Sequence, residues 1–164
     1  MKRAPALRLI AAAAVATAAY LGVHAIAGTA KADDLQGDIK ARQALMKQIG
    51  AQAKAIYAVV DAKSGDMADM QKRALLIQAD AAKIPSLFPA GSSASDFPGK
   101  THAKPEIWQD FSGFKQTAAT LGTEAGKLAD AAKSGDMTAF SAQFDTMGEK
   151  GCGSCHKQFR LPLK

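Results

Sequence analysis

The segment Cys152-Gly153-Ser154-Cys155-His156 lies near the C-terminus of a chain of 164 residues and contains its only two cysteines. Its pattern, C-x-x-C-H, is the attachment signal for a c-type haem. Two thiols three positions apart on a helix lie on one face, where both can add to the vinyl groups of one porphyrin. The next residue, a histidine, can then ligate the iron as its proximal axial ligand. The motif therefore predicts one covalently attached haem c.

Three other uses of two nearby cysteines are open but fit the sequence less well. A thioredoxin-like redox pair is expected beside a βαβ pattern, which this sequence does not show. A structural zinc ion needs four ligands, and the next histidine, His102, lies far upstream in a predicted loop. We expect His102 to be either solvated or close to the haem edge. A disulfide would explain the cysteines but not the histidine that follows them.

Residues 1–32 resemble an export signal. Three basic residues, Lys2, Arg3 and Arg8, lie near its start, and an alanine-rich apolar stretch follows from Leu9. The small-x-small pattern of Ala30-Lys31-Ala32 predicts cleavage after Ala32. An uncleaved membrane anchor is the alternative, because the apolar stretch is long for a signal. Haem attachment to this motif is completed outside the bacterial cytoplasm, so motif and leader together predict a periplasmic protein.

The basic character of the chain belongs largely to this leader. The first 32 residues hold four of the 21 basic residues and no acidic one, so residues 33–164 carry 17 basic and 15 acidic residues, a net charge of +2. This weak charge and the lack of a series of stacked aromatic residues argue against nucleic-acid binding. No Ser-His-Asp arrangement and no glycine-rich phosphate loop is found, so we do not expect an enzyme.

Residues 33–164 have the length of one domain, and their apolar residues recur with a helical period. The four stripes are 35–60, 67–84, 107–132 and 137–147, and the last continues into the cysteine motif. No stretch alternates with a period of two. Four amphipathic helices predict an all-α fold, an antiparallel up-down-up-down four-helix bundle.

The predicted connections support this order. The sequence Ala62–Met67, AKSGDM, recurs word for word at Ala132–Met137. We expect glycine to end one helix in a left-handed conformation and aspartate to cap the next. Residues 85–104 contain three prolines and a serine-rich run, which predicts a long crossing loop. Pro105 then falls in the first turn of the third helix.

A C-x-x-C-H motif at the end of such a bundle resembles the cytochrome c prime family, including its low-spin His/Met-ligated members. Residues 152–160, CGSCHKQFR, are similar to the family's C-terminal segment. Residues 42–47, RQALMK, resemble a pattern on its first helix, and residues 87–92, LFPAGS, are similar to its loop, as is the pair Ile107-Trp108. The resemblance covers residues 33–164.

The resemblance implies a role for each matching residue. Cys152 and Cys155 match the thioether positions and His156 the proximal ligand. On the first helix, Arg42 matches an arginine near the haem propionates, and Met46 matches the distal residue that faces the iron. Just after the motif, Arg160 matches a basic residue near the proximal face. The resemblance also implies that the chain can pair as a homodimer through its first two helices.

The resemblance implies one of two functions, because the family has two physical types that differ at the position of Met46. If Met46 ligates the iron, the haem is six-coordinate and low-spin, and the protein is a one-electron carrier with an unidentified redox partner protein. If Met46 only covers the sixth position, the haem is five-coordinate and high-spin, and it binds nitric oxide or carbon monoxide. A methionine at this position favours the carrier.

Overall fold

Helices account for nearly all of the regular structure in the computed structural model, which describes residues 18–163 and the side chains from Lys31 onward. In chain order the elements are α1 Ala18–Ala62, α2 Met67–Ala81, a 3-10 turn Pro85–Leu87, α3 Glu106–Gln109, α4 Phe111–Ser134, α5 Met137–Thr146, a π-helical segment Met147–Gly153 and α6 Ser154–Phe159. The only β-pairing within the described residues is an isolated bridge between Ala103 and Arg160.

The chain divides into two units, Met1–Asp34 and Leu35–Lys164, and every contact described below belongs to the second. Of the leader predicted over residues 1–32, the first 17 residues lie outside the described part of the chain, so its cleavage stays a prediction. Within residues 18–163, no helix is sufficiently long and apolar to span a bilayer.

The long helices of the second unit form the predicted antiparallel bundle. Gly122 of α4 faces Ala81 of α2, whereas Gly126, one turn later, faces Gln78, so α2 and α4 run in opposite directions. Short turns join α1 to α2 and α4 to α5, which makes those pairs antiparallel as well. The π-helical segment joins α5 and α6 into one continuous fourth helix. The up-down-up-down four-helix bundle is therefore confirmed.

The repeated sequence AKSGDM caps its helices as predicted but ends them in two different ways. The Asp66 and Asp136 carboxylates each accept hydrogen bonds from the backbone N–H groups of the residues two and three positions later. At the second copy, Gly135 ends α4 with φ of 74°. At the first copy the prediction is wrong, because Lys63 adopts the positive φ, 51°, and Gly65 instead packs against Val59.

The third predicted helix is divided in two. After Pro105 the chain forms only the four-residue helix α3, and the backbone leaves helical geometry at Asp110, with φ of −128° and ψ of 64°. The Asp110 carboxylate then accepts a hydrogen bond of 2.9 Å from the backbone N–H of Gly113 and caps α4. A side chain that can cap a helix offers the backbone an alternative to continuing one.

The bundle core and the crossing loop share one apolar cluster. Its fully buried members include Ile56, Ile77, Leu128 and Phe140. Phe88 of the crossing loop packs on Phe114 of α4 with 4.7 Å between ring centroids. The same loop contains one 3-10 turn that the sequence did not predict. The loop is thus fixed to the bundle by aromatic packing.

Candidate haem-binding site

The cysteine motif lies where the fourth helix changes from π-helical to α-helical geometry. Cys152 belongs to the π-helical segment, whereas Cys155 and His156 belong to α6. All three residues are half-buried, and both cysteines are free thiols. Single π-helical turns are rare and occur frequently at functional sites, and this one precedes the motif directly.

One cavity of about 720 Å³ is lined by all six of the site residues that the sequence predicts. These are Arg42, Met46, Cys152, Cys155, His156 and Arg160. Other parts of its wall are apolar and include Ile84, Ile107, Phe114 and Leu121. Cavities of about 300–1,000 Å³ with a few polar groups are typical of cofactor sites. Two thiols, an imidazole and a thioether on apolar walls are the donor set that a covalently bound haem uses, so the residues fit this group.

The other uses of the two cysteines gain no support from the geometry. Neither thiol is in a disulfide. Among the described residues, no three histidine, cysteine, aspartate or glutamate side chains gather as a site for a single metal ion. The exposed residue His102 lies on the rim of the large cavity, so it is both solvated and close to the candidate site.

Burial sets the protonation of the three motif side chains. It raises the pKa of both thiols, although at Cys155 a hydrogen bond with Thr117 and the charge of Arg160 act in the opposite direction. Burial, and to a smaller extent the positive charge of Arg160, lower the pKa of His156. The imidazole is therefore more readily neutral than a solvated histidine, and the neutral form is the one that ligates a metal.

Met46 approaches the cavity from a different helix than the motif. It lies on α1, is half-buried, and lines the same cavity as His156 on α6. Arg42 lies one helical turn before it and lines that cavity too. One cavity is thus lined by a histidine and a methionine from different helices, the two residue types that would ligate a His/Met haem.

The guanidinium of Arg42 is held by the crossing loop. It donates hydrogen bonds to the Ser92 hydroxyl at 2.8 Å, the Ser92 carbonyl at 2.5 Å and the Thr101 hydroxyl at 2.7 Å. Its carbon Cζ lies 4.6 Å from the centroid of the Phe88 ring. The sequence predicted a haem propionate as the partner of this buried arginine, and it missed these loop partners. Serine and threonine in the loop were the available signal.

Arg42 remains charged despite its burial. Desolvation lowers its pKa to about 10, and the nearby carboxylate of Asp38 opposes this shift. At neutral pH the side chain therefore brings a positive charge to the cavity wall. The role of Arg42 beside a haem propionate stays a prediction. A positively charged side chain at this position would suit a negatively charged propionate.

Replacing Arg42 by methionine is expected to lower the free energy of unfolding of the holoprotein by about 3 kcal/mol. Hydrogen bonds to charged groups contribute about 1.5–3 kcal/mol each and are not additive, and all three bonds to Ser92 and Thr101 disappear together. Urea unfolding measures the loss. The matched control is Gln43→Ala, which removes one exposed hydrogen bond to the Lys100 carbonyl and should cost under about 1 kcal/mol. Equal losses of unfolding free energy in the two variants would contradict a stabilising role for the hydrogen bonds from Arg42 to the crossing loop.

The aromatic residues Trp108, Phe111 and Phe114 have different roles near the cavity. Phe114 is buried and lines the cavity. The indole N–H of Trp108 instead donates to the carbonyls of Phe88 and Pro89, both at 3.0 Å, and so fastens the crossing loop. Phe111 packs against Phe114 with 5.9 Å between ring centroids.

The glycines around the motif differ in their surroundings. A Cβ atom on Gly151 would lie 2.9 Å from Leu121 Cδ1 and 3.1 Å from Leu121 Cα, so this glycine lets the π-helical segment approach α4. A Cβ atom on Gly148 would meet nothing within 4 Å. The role of Gly151 is therefore helix packing that positions the motif.

The variant Gly151→Ala is expected to destabilise the holoprotein by about 2 kcal/mol, since an added methyl group overpacks a tight contact. Because the contact includes the Leu121 backbone, the motif must shift with it, and the visible haem spectrum should change. Gly148→Ala is the control, because an unhindered alanine in a helix gains up to about 1 kcal/mol. Thermal unfolding and absorption spectra test the pair, and a neutral Gly151→Ala would contradict the packing role.

The crossing loop also contacts the chain just beyond the motif, a feature that sequence periodicity could not predict. The backbone N–H of Lys104 donates to the Phe159 carbonyl at 3.0 Å, and that of Leu161 donates to the His102 carbonyl at 2.8 Å. On α4, the Thr117 hydroxyl lies 3.6 Å from Cys155 Sγ. The crossing loop and α4 therefore both contact the helix that carries the motif.

A four-helix bundle with this cavity and this motif defines a class of protein, the helical-bundle c-type cytochromes. Residues 38–160 match the family described as Cytochrome C'. The chain therefore belongs to the cytochrome c' family, whose members bind one covalently attached haem c, and the predicted cofactor is confirmed.

Three similar proteins illustrate the family. A cytochrome c-556 of Agrobacterium tumefaciens (strain II Chrys) is 34% identical over 126 residues, which are 76% of this chain and 98% of that protein. A nitric oxide complex of a cytochrome c prime variant from Alcaligenes xylosoxidans superimposes with a TM-score of 0.69 at 25% identity, over 79% of this chain and 97% of that one. A cytochrome c' described as having ligand-controlled dimer dissociation gives 0.68 at 27% identity, over 78% and 97%.

Proposed function

We propose that this chain is a periplasmic one-electron carrier whose haem is attached through Cys152 and Cys155 and ligated by His156 and Met46. The observation that carries this proposal is that Met46 and His156, on different helices, line one cavity. A thioether opposite an imidazole stabilises the reduced iron and raises the reduction potential. No bond is made or broken in a substrate, so no enzymatic step is assigned.

Each residue has a distinct task in this proposal. The two thiols fix the haem to the fourth helix, and the haem supplies the one-electron couple when bound. Burial keeps the His156 imidazole neutral and able to ligate. Arg42 and Arg160 place positive charge on the cavity wall; Arg42 would offer a counter-charge to a haem propionate, and Arg160 would lie near the proximal face. The apolar wall, with Phe114 and Leu121, excludes water and lowers the local dielectric.

A redox titration of the holoprotein followed by absorption tests the carrier function. We expect a single reversible one-electron transition with no change in haem content, since neither oxidation state needs to gain or lose a ligand. A transition that shifts by more than experimental error when carbon monoxide is present would contradict the proposal, because it would require an open coordination position in the reduced protein.

The second candidate function is reversible binding of nitric oxide or carbon monoxide by a five-coordinate haem. It is favoured by two similar structures, both cytochrome c prime variants seen as nitric oxide complexes. In this case Met46 is a steric gate rather than a ligand, and the same cavity residues shape the distal pocket. Carbon monoxide titration of the reduced protein distinguishes the two candidates.

Export and self-association complete the proposal. The leader predicts export with cleavage after Ala32, so N-terminal sequencing of the mature protein should begin at Asp33.

Exposed apolar side chains on the first two helices, Tyr57 at 56% and both Leu75 and Leu76 at 46% exposure, support a homodimer through α1 and α2. Sedimentation equilibrium of the holoprotein should give twice the monomer mass, and a monomer at all concentrations would contradict the pairing.

A further inference from the structure

Three basic side chains gather beside the haem motif, and two of them have no role in the proposed electron-carrier function. We name Lys104, Lys157 and Arg160 the C-terminal basic patch. They line a second, shallower cavity of about 430 Å³. His156 and Arg160 line both this cavity and the large one, so the patch adjoins the candidate haem site.

Backbone contacts hold the C-terminal basic patch in place. The ammonium group of Lys104 donates to the carbonyls of Lys157 at 3.3 Å and Gln158 at 3.2 Å, which are free acceptors at the end of α6. The bridge between Ala103 and Arg160 joins the two segments that carry the patch. The charges therefore lie on a fixed scaffold rather than on independent flexible segments.

Among the described side chains, no carboxylate forms an ion pair with a member of the patch. Within residues 31–163 the ion pairs are Arg73–Asp69, Lys83–Asp80 and Lys127–Glu124, and none of them includes a member of the patch. Since residues 33–164 as a whole carry a net charge of only +2, the patch is a local concentration of charge. Such a concentration attracts a partner of opposite charge and raises its association rate by about 10–1,000-fold at low salt.

We propose that the C-terminal basic patch is the docking surface for the acidic face of the redox partner protein. This inference rests on the proposed electron-carrier function. An acidic protein surface placed there lies next to His156, which lines both cavities and would ligate the haem iron. Rim charges of this kind change the association rate and its salt dependence more than the affinity.

Stopped-flow electron exchange with the anionic hexacyanoferrate(III) tests the patch. The double variant Lys104→Gln/Lys157→Gln should react about 5–10-fold more slowly than the wild type at low ionic strength, and the difference should disappear near 1 M salt. Glutamine at position 104 keeps a donor for the two carbonyls. The control is Lys72→Gln/Lys133→Gln, which removes two exposed charges on α2 and α4 and should change the rate less than twofold.

A second arm distinguishes a protein surface from a small-anion site. Poly-glutamate of about 50 residues should inhibit exchange with the wild type and not with the patch variant, because an extended acidic chain competes for the docking surface. Equal slowing of both double variants, or no inhibition by poly-glutamate, would overturn the proposal. The absorption spectra of all variants report haem ligation separately, so a failure of the carrier function is seen independently of a failure of docking.

Discussion

A chain in which serine replaces both Cys152 and Cys155 is expected to release all of its haem on denaturation. Serine hydroxyls form no thioether, so only ligation and packing would hold the group. Denaturation followed by extraction into acidified organic solvent separates free from attached haem. The control is Ser154→Ala, which lies between the cysteines, is exposed, and loses only a hydrogen bond to the Glu149 carbonyl. Haem that stays with the denatured double variant would contradict attachment through the motif.

The same variant should also lose most of its folding stability when it is produced without haem. Apolar walls that lose their packing partner destabilise a fold in proportion to the space left empty, and this cavity is large, at about 720 Å³. Typical domains are stable by only about 5–15 kcal/mol. We therefore expect weak, non-cooperative thermal unfolding by circular dichroism. Sharp unfolding at the temperature of the holoprotein would show that the cavity tolerates being empty.

Replacing Met46 by leucine is expected to convert a low-spin, gas-insensitive protein into a high-spin one that binds one carbon monoxide per haem. Leucine has a similar volume and should cost under about 1.5 kcal/mol of stability, but it has no sulfur donor. The sixth coordination position then opens, and the reduction potential falls because the thioether no longer stabilises the reduced iron. Absorption spectra and a redox titration measure both effects.

Met147→Leu provides the matched control for this substitution. Met147 is 1% exposed and belongs to the core cluster, and it does not line the large cavity. Its replacement should leave the spectrum, the reduction potential and the response to carbon monoxide unchanged. If Met147→Leu and Met46→Leu behave alike, the effect belongs to core packing and not to ligation.

Local signals in the sequence predict most of the helices, and the resemblance points to residues that the structure places around one cavity. The 3.6-residue period of apolar residues predicts the four-helix bundle, and the aspartates of AKSGDM cap both helices that follow them. The motif and the residues aligned with it by resemblance, Arg42, Met46 and Arg160, all line one cavity. These features depend on residues that are near in sequence or on a highly specific pattern.

Contacts between distant segments could not be predicted in this way. Nothing in the periodicity of α1 indicates that Arg42 meets Ser92 and Thr101, because those partners depend on the path of the crossing loop. The packing of Gly151 against Leu121 depends on how closely two helices approach. Even the repeated turn differs between its copies, since the left-handed residue is Lys63 in the first copy and Gly135 in the second.

The absorption spectrum of the purified holoprotein, oxidised and reduced, before and after addition of carbon monoxide, tests the central claim that Met46 ligates the iron. The account predicts a low-spin spectrum with a sulfur-to-iron charge-transfer band in the oxidised protein and no change on adding the gas. A high-spin spectrum that shifts with carbon monoxide would contradict it and would make Met46 the gate of an open, gas-binding site.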